Sequence, residues 1–188
     1  MGAMRPFFDG RGASIFYWRY TMKKRSLNLA HAALIAAMYA ALTHLQNILI
    51  PGSATWAIQF RASEALCVLA FFTPAAIPGL SVGCFLFNLT YSGALPLDPV
   101  IGTLATALAA GGMYLTRRIP ALGLCMPALF NALLVGWELT VYIGGGFWIN
   151  ALYVAIGELA VLFTLGLILY TTMKKRGIDR RLFGESTC

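Results

Sequence analysis

Between Trp148 and Met173 the only formally charged side chain is Glu158. A run of that length suits a helix crossing hydrocarbon, which needs about 20 apolar residues. In water the same helix would have to be buried on every side. The rest of the chain repeats the pattern. Of 188 residues, 59% are hydrophobic and only 11% charged, with a mean hydropathy of +0.74. Soluble domains carry more charge and less apolar surface, and a chain this short cannot hide such an excess in its own core. Composition therefore excludes a soluble enzyme, a disordered chain and a disulfide-stapled secreted module. Cys67, Cys84, Cys125 and Cys188 have no CxxC spacing and form no disulfide framework or zinc pattern. The three inside apolar runs read as small packing residues.

Apolar runs define an all-α integral membrane protein with six expected transmembrane helices, at about 28–50, 57–72, 75–91, 97–116, 120–143 and 148–173. Pro51-Gly52-Ser53, Thr73-Pro74, Ser92-Gly93, Ile119-Pro120 and Gly144-Gly145-Gly146 separate them. The charge of +7 does not describe a nucleic-acid face. Six basic residues precede the first run, five follow the last, Arg117-Arg118 lies between the fourth and fifth, and Arg61 stands alone. Six spans put both termini on one side, and the positive-inside rule makes that side the cytoplasm. The expected outer loops, 51–56, 92–96 and 144–147, carry no lysine or arginine. Residues 1–21 mix charges with aromatics, and Met22 ahead of Lys23-Lys24-Arg25 reads as a start. The leader is thus expected to be non-native or disordered, with an interfacial aromatic segment as the alternative. The expected domain is 22–176, followed by a basic tail at 177–188.

Ionisable groups within a span are costly and mark function by default. Here they are Arg61, Glu64, Glu138 and Glu158, with Asp98 at an outer helix mouth. At about 1.5 Å per residue, Glu64 lies two turns below the outer surface, Glu138 in the outer third and Glu158 near mid-membrane. Gln59, Asn88, Asn150 and Trp148 lie near outer helix ends, and Asn131 near the middle. Polar side chains gather in the outer half, as in a cup open to the outside. Each has a plainer reading. Arg61 and Glu64, at i,i+3, could simply pair. Asp98 ahead of Pro99 suits a helix cap. Glu158 could be a protonated interhelical donor. His31 and His44 suit interfacial or packing positions, and Trp56, Trp137 and Trp148 suit an aromatic belt. Asn131 and Glu138 are seven apart and share a helix face; an unpaired carboxylate there has no cheap structural use, which favours ligand contact. Pro127 predicts a kink and a freed carbonyl.

The first span carries two alanine strips, Ala32-Ala36-Ala40 and Ala33-Ala37-Ala41. Small faces let helices approach closely in lipid, either within the chain or against another protein. The sequence contains no GxxxxGK[ST], HExxH or GxSxG motif and no metal-spaced histidine pair, so no cofactor or metal is expected and any ATP-driven engine would be a separate subunit.

The stretch Gln59-Phe60-Arg61-Ala62-Ser63-Glu64-Ala65-Leu66, then Phe71-Phe72-Thr73-Pro74-Ala75-Ala76-Ile77-Pro78-Gly79-Leu80, Gly83-Cys84 and Asn88-Leu89, resembles the QueT family of queuosine-precursor transporters. The resemblance continues through Asn131, Gly136-Trp137-Glu138-Leu139 and Gly157-Glu158-Leu159, covers about 22–173 and omits the leader. It implies an S component of an energy-coupling factor (ECF) transporter: a six-helix binding subunit working with a membrane coupling subunit and two ATPases. It also implies that Ala32, Ala36 and Ala40 dock on the coupling subunit, and that the ligand is a 7-deazaguanine base or queuine. A carboxylate can accept two adjacent N–H donors of a guanine-like edge. Glu138 is the expected partner for that edge, with Glu158 or Glu64 for an aminomethyl cation and Gln59, Asn131 or Arg61 for the carbonyl. Two other classes compete. A proton-coupled secondary transporter would use Glu64, Glu138 or Glu158 as a relay, but no inverted repeat is visible. An intramembrane enzyme acting on lipid would show acidic or histidine clusters near the cytoplasmic face, and none is present.

Overall fold

The computed structural model describes residues 10–53 and 60–183. All regular structure among them is helical. Helix α1 spans Gly10–Leu49, and a 3₁₀ helix occupies Ala62–Phe71. Then come α2 (Ala76–Thr90), α3 (Asp98–Leu115) and α4 (Pro120–Tyr142). Helix α5 (Phe147–Val161) runs through a π turn at Leu162–Gly166 into α6 (Leu167–Lys175), and the short α7 covers Ile178–Phe183. Three helical stretches are long and apolar enough to cross a membrane: Arg25–Leu49, Pro120–Tyr142 and Phe147–Lys175.

The breaks fall where the sequence chemistry places them. Pro120 opens α4 from the first helical position, where its missing N–H costs nothing. Gly144 and Gly145, both at φ +86°, reverse the chain between α4 and α5, a conformation that side chains with a Cβ rarely adopt. Helix α4 continues unbroken past Pro127. Three features depart from the expected spans. Helix α1 begins at Gly10, well before residue 28, so part of the expected leader is helical and continuous with the first span. Part of the expected basic tail is helical, with α7 packed against α6. The third departure is the largest: the expected second span is a 3₁₀ helix of ten residues rather than an α-helix. Such runs are uncommon beyond three or four residues.

That 3₁₀ helix is the axis of the molecule. Residues 63–71 are all buried, and the helix touches α1, α2, α3, α4, α5 and α6. Around it, α1 packs on α2, α2 on α3, α3 on α4 and α4 on α5. Small residues bring these neighbours together. A Cβ on Gly79 would stand 2.7 Å from the Ala32 carbonyl oxygen, and one on Gly83 would stand 2.8 Å from that of Ala36. A Cβ on Gly136 would come within 2.8 Å of Ala151 Cα in the same way. An apolar core built from Leu69, Phe71, Leu80, Met113, Leu124 and Leu162 supports the end of the bundle nearer the basic tail. The exterior is apolar as well: Leu34, Ile48, Ile168 and Leu133 are all exposed. With both faces apolar, the bundle is built for lipid rather than water.

Candidate functional site

The polar side chains that the sequence spreads over several spans converge on the 3₁₀ axis. Helix α1 contributes Tyr39, Thr43 and Asn47, four residues apart and so on one face. The Tyr39 hydroxyl donates to Glu64 Oε1, and the Cys67 thiol donates to Glu64 Oε2 at 3.1 Å. Thr43 donates to Ser63 Oγ at 2.7 Å. Gln46 pins the approach to the axis: its Nε2 donates to Ser53 Oγ at 2.9 Å, and its Oε1 accepts from the Ala62 N–H at 2.7 Å.

Arg61 precedes the axis and turns towards α2. Its Nη1 donates to Cys84 Sγ at 3.8 Å and its Nη2 to Asn88 Oδ1 at 3.4 Å. Asn88 passes the contact on, donating to the Asp98 backbone carbonyl at 2.9 Å. The Asp98 carboxylate accepts the Leu95 N–H at 2.7 Å, which fixes the turn before α3 instead of capping the helix forward. On the opposite side, Asn131 of α4 donates to Glu158 Oε1 of α5 at 2.7 Å.

These groups form one electrostatic set. Arg61 senses Glu64 and Asp98, Glu138 senses Asp98 and Arg61, and Glu158 senses Glu64 and Arg61. One guanidinium therefore serves four carboxyl groups, and all five side chains are at most 4% exposed. Their hydrogen bonding is unequal. Both oxygens of Glu64 are engaged, and Glu158 has one oxygen on Asn131. Glu158 Oε2 and both oxygens of Glu138 receive no hydrogen bond from an N–H or hydroxyl donor among the described residues, and the Glu138 carboxyl lies within hydrogen-bonding reach of the Asp98 carboxyl. Buried polar atoms are nearly always partnered, and leaving one unpartnered costs about 1–3 kcal/mol, more for a charge. At Glu138 and Glu158 the unmet capacity is that of carboxyl oxygens, which can accept N–H donors.

Residues 29–175 match the family described as QueT transporter. The chain belongs to the QueT transporter family. No curated protein and no solved structure matches it. The matched region contains the whole buried cluster, so the polar set belongs to the family domain and not to the flanks.

Among the expected site residues of this QueT chain, the fold brings together Arg61, Glu64, Asn131, Glu138 and Glu158. Arg61 donates to Cys84 and Asn88, while Tyr39 and Cys67 engage the two oxygens of Glu64, so both residues also bind beyond one another. Trp148 stands apart, 78% exposed at the start of α5, where the aromatic-belt reading fits it. Gln59 and Trp56 lie outside the described residues. His44 is a packing histidine, 3.0 Å from Thr90 Oγ1 and edge-on to Phe87.

The alanine strips separate cleanly. Ala36 is buried and, with Ala32, packs against Gly79 and Gly83 of α2, while Ala40 is half-buried. Ala33, Ala37 and Ala41 are the exposed strip. Sequence reading missed Tyr39, Thr43, Asn47 and Thr106, and took Cys67 and Cys84 for packing alone. Asn47 and Thr106 are buried with unpartnered polar atoms. The four-residue spacing of Tyr39, Thr43 and Asn47 was the available signal, hidden beneath the more conspicuous alanines. No group of histidines, cysteines and acids among the described residues could hold a metal ion.

Proposed function

We propose that this QueT protein is the substrate-binding S component of an ECF transporter, and that it captures a queuosine precursor, a 7-deazaguanine base or queuine. One observation carries the reading: a fully buried carboxyl group, Glu138, receives no bond from an N–H or hydroxyl donor and has the Asp98 carboxyl beside it, inside a polar cluster within an apolar bundle. A guanine-type edge supplies two adjacent N–H donors to such a group. Glu158 Oε2 is then left for an aminomethyl cation, and Asn131, Arg61 or Gln59 supplies the donor for the ring carbonyl. In this account the chain crosses the membrane six times, with the 3₁₀ helix in the second crossing and both termini in the cytoplasm. The loops without lysine or arginine support that orientation.

The partners are a membrane coupling subunit and two ATPases, because the chain has no nucleotide-binding motif of its own. The packing of Ala32 and Ala36 on α2 leaves Ala33, Ala37 and Ala41 as the small-residue face open to the coupling subunit. The experiment compares two reconstitutions. The purified chain alone should bind 7-cyano- and 7-aminomethyl-7-deazaguanine without ATPase activity or concentrative uptake, and uptake should appear only with the coupling subunit and ATPases. Uptake by the chain alone under a proton gradient would replace this reading with a secondary transporter that uses the same carboxyl cluster as its relay.

A further inference from the structure

A cavity lies at the end of the bundle nearer the basic tail. It has a volume of about 180 Å³ and lies between α1, the 3₁₀ helix, α6 and α7. His31 and Met38 line it from α1, Leu69 from the axis, Met173 from α6, and Leu182 and Phe183 from α7. Apart from His31 these linings are apolar. The Phe183 ring meets His31 edge-on at 5.1 Å, so α7 closes one end of the cavity.

The chain that flanks this lining is strongly basic. Lys174 follows the lining residue Met173, and Arg181 precedes the lining residue Leu182. Lys174, Lys175, Arg176, Arg180 and Arg181 are all exposed. Between 174 and 183 these five cations face a single acid, Asp179, which is buried and 3.6 Å from Lys174 Nζ, leaving a net of +4. Arg25 adds an exposed cation at the same end of α1. An apolar slot flanked in the chain by exposed, unbalanced positive charge, at the end of a membrane-embedded bundle, matches one molecule in both halves: an acyl chain fills the slot and a phosphate meets the flanking cations.

We infer that the α1–α6–α7 cavity is a binding site for one anionic phospholipid, with an acyl chain against Met38 and Leu69 and its head group held by Arg180, Arg181 and Lys175. Helix α7 is then an ordered element because it forms part of a lipid site. The proposal uses only the membrane embedding of the chain and is independent of what the polar cluster binds.

The test is native mass spectrometry of the full-length chain in mild detergent. Phosphatidylglycerol and phosphatidylcholine of matched acyl composition are titrated in, with inorganic phosphate as a third arm. The wild type should retain one phosphatidylglycerol and prefer it over phosphatidylcholine by roughly tenfold or more, as several near-surface cations allow. Replacing both Arg180→Gln and Arg181→Gln should reduce that preference by roughly tenfold or more while the acyl contact persists. Met38→Trp, which fills the slot, should remove retention of both lipids with helical circular dichroism unchanged. Equal retention of the two lipids by the wild type, an unchanged preference in the arginine variant, or full displacement of lipid by inorganic phosphate would overturn the proposal.

Discussion

Replacing Glu138 with glutamine separates ligand recognition from folding, because the two respond in opposite directions. In the wild type the Glu138 carboxyl is fully buried and receives no N–H or hydroxyl donor among the described residues, with only the Asp98 carboxyl beside it. The free protein bears that cost, and an amide of the same shape bears less of it, since an uncharged group is cheaper to bury. The unliganded variant should therefore unfold at the same temperature as the wild type or higher. Binding should suffer. The amide keeps one acceptor and turns the other oxygen into a donor, so one N–H of a guanine-type edge would oppose another N–H. The unsatisfied donor costs about 1–3 kcal/mol and the lost charge assistance adds to it, giving roughly ten- to a hundredfold weaker affinity or more. Asp98→Asn is the neighbouring comparison: it alters the group beside Glu138 but leaves the acceptors at 138 in place, so it should weaken binding much less than Glu138→Gln does. The assay pairs isothermal titration with 7-aminomethyl-7-deazaguanine and thermal unfolding of the unliganded variants. Unchanged affinity in Glu138→Gln would refute the assignment. A lower unfolding temperature with proportionally weaker binding would show that Glu138 is structural.

Three further outcomes follow from the geometry. Gly83→Val should lower stability, by about 1–3 kcal/mol as overpacked contacts do, since even a Cβ would stand 2.8 Å from the Ala36 carbonyl oxygen; thermal unfolding in detergent checks it. Ala37→Leu should abolish uptake by the assembled transporter while leaving binding by the isolated chain intact, and co-purification with the coupling subunit reads the difference. Trp148→Ala should leave deazapurine affinity unchanged, because the ring is exposed at the start of α5, and the same titration measures it.

Much of the bundle is legible from local chemistry. The ends of α2, α3 and α4 and the start of α5 fall within a residue or so of the expected spans because proline and glycine act on the backbone nearby. The 3₁₀ axis was not legible. Its residues are buried on all sides, so no periodicity distinguishes one helical pitch from another. Which alanine strip turns inward depends on Gly79 and Gly83, more than forty positions away from their contacts Ala32 and Ala36. The acids of the site could be picked out singly because a buried charge is costly wherever it occurs. Their division of labour could not, since it depends on which oxygens Tyr39, Cys67 and Asn131 already occupy. Trp148 shows the reverse error: an aromatic at the right depth gives no sign of which way it faces.

The central claim is that a carboxylate in the buried cluster reads two adjacent N–H donors on a deazapurine. The most direct measurement is the affinity of the isolated, purified chain for 7-cyano-7-deazaguanine against the analogue that lacks only the exocyclic amine. The account predicts that the analogue binds roughly tenfold more weakly or worse in the wild type, since one carboxylate oxygen is left without its donor. It also predicts that the difference largely disappears in Glu138→Gln. Equal binding of the two compounds by the wild type, or an undiminished preference in the variant, would contradict it.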